Sequence, residues 1–265
     1  MIEILWKGKV GYGDIVSPIC YAHNISYKLK TDVRLVFRWG HGVGRKVHAS
    51  DPEQLWVRAS YLFSQCQKKD TNVTLVHKFN NPLSVNHINY EWDCVSDDPF
   101  HNQWNSHLIH NPASKFIVVN STINNILSLK EYGKSWKDPI ASEWKSVLAT
   151  IRKKYDVANV DYRTPVEDLC KMLCKATCFI GYHGTAAWVA KFLNIPSIIY
   201  SDGGKLTGNS FPAAVIIKKF QGVSHLMDNL PVYIEEARVK IQQTNEQYVS
   251  YVPSLKLLRS LCHEV

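Results

Sequence analysis

The sequence predicts an α/β protein of two halves, each built on a parallel sheet, with helices closing the chain. Three observations carry this. Thr177-Cys178-Phe179-Ile180 is a short apolar run, followed by the turn Gly181-Tyr182-His183-Gly184-Thr185, helical spacing over Ala186–Leu193 and a second buried run, Ser197-Ile198-Ile199-Tyr200. Strand, tight turn, helix and strand in that order make a βαβ unit. The same alternation starts at Ile2 and restarts at Lys115, on either side of a polar and aromatic stretch over 80–112 that has no clear period. The halves therefore meet near Asn111-Pro112-Ala113, and ligands of such sheets bind at the carboxyl ends of the strands, here in the cleft between the halves.

Taken in order, Ile2–Lys7 reads as the first strand, and Ile15, Ile19, Ala22 and Ile25 repeat at helical spacing to about Leu29. Asp14 stands where an N-cap would, and Pro18 falls in the first turn or so. Val33–Trp39 is a second strand, followed by a basic, glycine-rich loop ending at Arg45-Lys46. Asp51-Pro52-Glu53 opens a helix with Leu55, Ala59 and Leu62 on its apolar face, and Val73–Val76 is a third strand. Loops and short helices are expected over 80–112.

In the second half Lys115–Asn120 is a strand, and Asp138-Pro139 opens a helix carrying Trp144, Val147, Leu148 and Ile151. Val157–Val160 is a further strand, and Thr164-Pro165-Val166-Glu167 has the form of a capping box before a helix with Leu169, Met172 and Leu173. After the βαβ unit, in which Asn194-Ile195-Pro196 stops the helix, Pro231 to Val265 is expected to be mainly helical.

Composition narrows the class. Hydrophobic residues make up 45% and charged residues 20% of 265, the balance of a globular protein rather than a disordered one. No apolar run approaches the roughly 20 residues that cross a bilayer, and the first residues are too short and too charged for a signal peptide. A cytoplasmic protein without membrane insertion is expected. Seven cysteines at irregular spacings point to reduced, buried thiols, with Cys170, Cys174 and Cys178 on a helix face that runs into the next strand. His101, His107 and His110, with Asp97, Asp98 and Cys94, fit no zinc spacing, so no metal is assigned. The net charge of +8 favours anionic partners: nucleotide phosphates, nucleic acid or an anionic surface.

The turn before Ala186 is the first chemical clue. Small residues at the start of a helix leave backbone N–H groups open, aimed where a phosphate or diphosphate sits. It is neither a G-x-G-x-x-G nor a Walker loop, and many glycine-bearing βαβ turns bind nothing.

Three stretches, in order, resemble the heptosyltransferase-like glycosyltransferases. They are Gly11-Tyr12-Gly13-Asp14-Ile15-Val16-Ser17-Pro18, then Gly133-Lys134-Ser135-Trp136-Lys137-Asp138-Pro139 with the helix after it, and Val166–Tyr200. Together they cover less than a quarter of the chain. The resemblance implies two Rossmann-like domains facing a cleft (the GT-B fold), with an acceptor-binding domain over 1–112. A nucleotide-sugar-binding domain with C-terminal helices would follow over 113–265.

It also implies roles. Asp14 becomes the general base that deprotonates the acceptor hydroxyl, against its reading as a plain cap. Lys134 becomes the partner of the donor phosphates, and Gly184, Thr185 and Ala186 their cradle. Where the family carries an acidic residue before the glycine of that turn, this chain has His183, which contacts a phosphate or sugar or else satisfies a turn hydrogen bond. The donor is a substrate, and neither a metal nor another cofactor is expected.

Acceptors fall into two classes: a base of hydroxymethylated DNA, as in the small GT-B enzymes of T-even-type phages, or a cell-surface glycan. The basic balance and the aromatic-basic stretches Trp39–Lys46 and Trp92–Trp104 suit DNA. A non-catalytic nucleotide-binding module is the third reading. Oligomeric state is not encoded in any pattern of the sequence.

Overall fold

The computed structural model describes residues 1–6, 15–37, 52–66, 70–77, 87–90, 108, 110–113, 115–120, 140–161, 163–182, 184–200, 211–217 and 223–250. The chain divides into two compact units: residues 1–107 with 247–265, and residues 108–246. Their strands form two separate sheets, and every described strand pairing is parallel.

The first unit holds β1 (Ile2–Trp6), α1 (Val16–Leu29), β2 (Asp32–Phe37), α2 (Pro52–Cys66), β3 (Asn72–His77) and β4 (His87–Tyr90), in the sheet order β3-β2-β1-β4. A parallel sheet is covered on both faces, and β1 and β2 are accordingly apolar along most of their length. Trp6 and Phe37 are register partners and meet edge-on at 5.0 Å. One pair breaks the apolar pattern. Glu3 and Arg34 lie side by side in register, and Arg34 Nη1 donates to Glu3 Oε1 at 2.6 Å, with the Glu3 side chain only 3% exposed.

Helix α1 packs its Ile19, Ala22 and Ile25 face against this sheet and α2, which brings Ala59, Leu62, Phe63 and Cys66. Ser26 ties the end of α1 to both neighbouring strands, donating to Thr31 O and accepting from the Asn72 N–H.

The second unit holds β5 (Phe116–Val119), α3 (Ile140–Ile151), β6 (Asp156–Asn159), α4 (Val166–Lys175), β7 (Cys178–Tyr182), α5 (Thr185–Phe192), β8 (Ser197–Tyr200), β9 (Val215–Ile217) and most of α6 (Val223–Ser250). The sheet order is β6-β5-β7-β8-β9. One face carries Ile117, Val119, Cys178, Ile180 and Ile198, packed with Val147 and Ile151 of α3 and Leu226, Leu230, Ile234 and Ala237 of α6. Helices α4 and α5 pack together, and α5 lies against β7 and β8. The last turn of α6 belongs with the first unit: Lys28 Nζ donates to Tyr248 O at 3.1 Å, and Tyr248 Oη donates to Asn24 Oδ1.

Several expectations need correction. Helix α1 begins at Val16 behind Ile15, whose φ of −69° and ψ of −37° are already helical and whose side chain makes no cap bond; the expected cap, Asp14, lies outside the described residues. The capping box at Thr164 does not form. Pro165 is the N-cap of α4, which leaves Thr164 one residue too early; its Oγ1 accepts from the Asp161 N–H, and Glu167 pairs with Lys171 at 2.8 Å. Within 80–112 there is a strand, β4, whose sequence His-Ile-Asn-Tyr lacks the apolar run that marks its neighbours. Helix α6 starts at Val223, so Pro231 lies inside it and removes the hydrogen bond to Met227 rather than opening the helix. The stop at Asn194 forms as expected. Asn194 is left-handed at φ 56°, and its N–H and that of Ile195 donate to Lys191 O and Ala190 O, closing α5 as a Schellman motif.

Candidate functional site

In each unit the order of strands reverses at one point. Chain order runs outward from β1 to β2 and β3 on one side and to β4 on the other; likewise β5 is followed by β6 on one side and by β7, β8 and β9 on the other. Helices leaving neighbouring strands on opposite faces open a crevice at the carboxyl ends of those strands, which is where open α/β sheets bind ligands.

In the second unit the crevice lies between β5 and β7. Asn120 follows β5, and its N–H donates to Ile180 O at 2.9 Å, which pins the strand end to β7. Gly181 is required by that approach: a Cβ there would stand 2.7 Å from Phe179 Cζ, 3.0 Å from Asn120 Cβ and 3.3 Å from Asn120 O. Tyr182 ends β7 opposite its register partner Tyr200, their rings 6.4 Å apart.

Gly184 is the N-cap of α5 and differs from Gly181 in kind. Its φ and ψ of −171° are extended, and among the described residues a Cβ would meet nothing within 4 Å. No side chain caps the helix, and its first bond runs from the Trp188 N–H to Gly184 O at 3.1 Å. The N–H groups of Thr185, Ala186 and Ala187 thus precede the first intrahelical donor, beside open space over Gly184. Such a terminus favours an anion by about 0.3–2 kcal/mol.

The helix is held firmly behind this end. Ala187 and Val189 are fully buried, Trp188 meets Phe211 at a tilt of 47° with ring centres 4.7 Å apart, and Lys191 Nζ lies 5.3 Å from the Trp188 ring centre. Gly184, Thr185 and Ala186 therefore occupy one helix start at the crevice. Asp14, Lys134 and His183 lie outside the described residues, as do His41 and Asp97.

The titratable groups nearby are structural. Burial pushes the Cys170 thiol up to about 12, and Cys178 and Cys174 are raised by the same cause. All three are free thiols. His110 bonds Ala176 O at 2.8 Å through Nε2, which gives it a packing role between the entry to β5 and the end of α4. Among the described residues no cluster of three His, Cys, Asp or Glu side chains is placed to hold a metal, and no helix is long and apolar enough to cross a membrane. Asn120 was not singled out from the sequence, and Gly181 was read as the first residue of the turn, whereas it lies in β7; the signal for both was a polar or missing side chain at the end of an otherwise apolar strand.

No family model and no curated protein matches the chain. Among solved structures it is similar, over 94% of its length and 76% of the other chain, to the bacterial iron-containing dodecameric glycosyltransferase TibC from enterotoxigenic E. coli H10407, at 12% identity and a TM-score of 0.49. A similar match, with the same coverage, 11% identity and a TM-score of 0.46, is to dodecameric iron-containing heptosyltransferase TibC in complex with ADP-D-beta-D-heptose.

Proposed function

We propose that the chain is a glycosyltransferase that moves a sugar from a nucleotide-diphosphate donor to a hydroxyl acceptor with inversion. One observation supports this above the rest. In chain order Asp14 falls between β1 and α1, Lys134 between β5 and α3, and His183 and Gly184 between β7 and α5, whose first residues are Thr185 and Ala186; β1, β5 and β7 are strands at which the sheet order reverses. Open α/β sheets bind ligands at the ends of such strands, and this order along the chain supports the reading.

In this reading the first unit takes the acceptor and the second takes the donor, as in the GT-B fold. The Asp14 carboxylate removes the proton from the acceptor hydroxyl as its oxygen attacks the anomeric carbon. The bond from that carbon to the diphosphate oxygen breaks with its electrons on the leaving nucleoside diphosphate. Lys134 and the N–H groups at the start of α5 stabilise that charge. A positioned base contributes about 10²–10⁴ in rate, and a charge-assisted contact about 1.5–3 kcal/mol. The acceptor class best matched to a net charge of +8 is a hydroxyl on an anionic polymer, with a hydroxymethylated base of DNA as the first choice and a cell-surface glycan as the second.

Incubation with UDP-, ADP-, GDP- and CDP-linked sugars, with and without hydroxymethylated DNA, tests the proposal by release of nucleoside diphosphate. DNA-dependent release supports the full reading, and release independent of DNA moves the acceptor to the glycan class. Binding without release would make the chain a nucleotide-binding module, and neither binding nor release would overturn the proposal.

A further inference from the structure

We propose that the side-chain amide of Asn120 is a donor-binding group whose Oδ1 accepts a hydrogen bond from a ribose or sugar hydroxyl of the nucleotide sugar. The proposal rests on the donor reading above and adds to it a residue outside the three stretches that carry the resemblance. Asn120 stands at the carboxyl end of β5, on the β7 side, where the sheet order reverses. Along β5 the residues Ile117 and Val119 enter the core with α3 and α6. By strand alternation Asn120 leaves on the opposite face, and its Cβ lies beside the position a Gly181 side chain would fill.

Asn120 Oδ1 is buried and accepts no hydrogen bond among the described residues. Buried carbonyl oxygens are almost always paired, and one left without a partner costs stability. Turning the amide over would bury two N–H donors in place of one carbonyl, so the orientation with Oδ1 inward is the less costly one. An apolar residue would close the end of β5 without that cost. Packing therefore does not explain an asparagine here, yet the chain accommodates it by omitting a side chain at Gly181.

The chemistry of the oxygen selects its partner. A carbonyl lone pair repels the oxygens of a diphosphate and attracts a hydroxyl. The start of α5, also at this crevice, offers N–H donors suited to the diphosphate. An acceptor and a set of donors at one crevice match a molecule with both hydroxyls and phosphates.

The experiment is calorimetric titration of the wild-type protein, Asn120→Ala and Asn120→Leu with UDP-, ADP-, GDP- and CDP-linked glucose, together with melting temperatures of the three ligand-free proteins. Leucine is close to asparagine in shape and fills its place without the carbonyl. The expected result is a melting temperature for Asn120→Leu equal to or above wild type, with affinity for the bound nucleotide sugar about tenfold lower in both variants. Unchanged affinity in the variants would overturn the role of Asn120 and leave the donor reading standing. A fall in melting temperature of both variants, in step with affinity, would make Asn120 a packing residue and also overturn the proposal. Failure of the wild-type protein to bind any of the four would remove the donor reading and this inference together.

Discussion

Two glycines three residues apart should respond to the same substitution in opposite ways. At Gly181 an added Cβ would stand 2.7 Å from the end of the fully buried Phe179 ring and 3.0 Å from Asn120 Cβ. Carbon pairs prefer about 3.5–4.0 Å, so strand β7, Asn120 or the ring has to shift. Overpacking of this kind costs about 1–3 kcal/mol, and at about 2–4 °C per kcal/mol for a chain of this size Gly181→Ala should lower the melting temperature by about 2–12 °C.

At Gly184 the backbone is extended and the added methyl meets nothing among the described residues. Two small effects oppose each other there: alanine restricts the unfolded chain, worth about 0.4–1 kcal/mol, and is the poorer N-cap. Gly184→Ala should melt within about 2 °C of wild type. In the proposed reading a phosphate approaches α5 beside Gly184, so nucleotide-sugar affinity should fall about tenfold. Differential scanning fluorimetry and calorimetric titration read the two effects separately. A Gly181→Ala protein that melts like wild type, or a Gly184→Ala protein that binds donor like wild type, would refute the distinction drawn between the two turns.

Three other perturbations follow from the same description. Arg34→Met takes from the buried Glu3 a cationic partner at 2.6 Å and should destabilise by up to about 3 kcal/mol, most of it recovered in the Glu3→Leu, Arg34→Met double variant; chemical denaturation checks both. Lys134→Ala should weaken nucleotide-sugar binding by about tenfold or more, whereas unchanged affinity in calorimetry returns Lys134 to a surface role. Burial raises the Cys170 thiol to about 12, while in the unfolded chain it ionises near pH 8.5, so across that window the unfolded state holds fewer protons. Its contribution to stability is full below about pH 8.5 and is lost as pH rises toward 12; the pH dependence of unfolding should therefore be shallower for Cys170→Ala by up to about 1.4 kcal/mol per pH unit. Equal slopes would show that this thiol is not shielded.

The sheets were legible because a parallel sheet covered on both faces demands apolar strands, and Ile2–Trp6, Cys178–Tyr182 and Ser197–Tyr200 supply them. The cysteines at 170 and 178 were legible for the same reason, as a buried helix face leading into a buried strand, while Cys174 between them is half-buried. Strand β4 was hidden because His-Ile-Asn-Tyr carries little of that signal and is set by its pairing to β1. Helix α6 reaches back to Val223, ahead of the expected helical stretch, because tertiary packing of Leu226, Leu230 and Ile234 carries it through Pro231. The helix start at 184–186 was readable from its small residues. Asn120 was not, since only three-dimensional burial distinguishes an unpaired amide from an ordinary polar residue ending a strand.

The central claim is tested most directly by turnover of Asp14→Asn beside its donor affinity and melting temperature. Asparagine is nearly isosteric with aspartate and nearly as good an N-cap, so the melting temperature should stay near wild type. Donor binding, assigned to the other unit, should stay intact as well. Asparagine cannot accept the proton as a carboxylate does, so release of nucleoside diphosphate in the presence of acceptor should fall by about 10²-fold or more. Near-normal turnover in this variant would contradict the account and send the search for the base to His41 and Asp97.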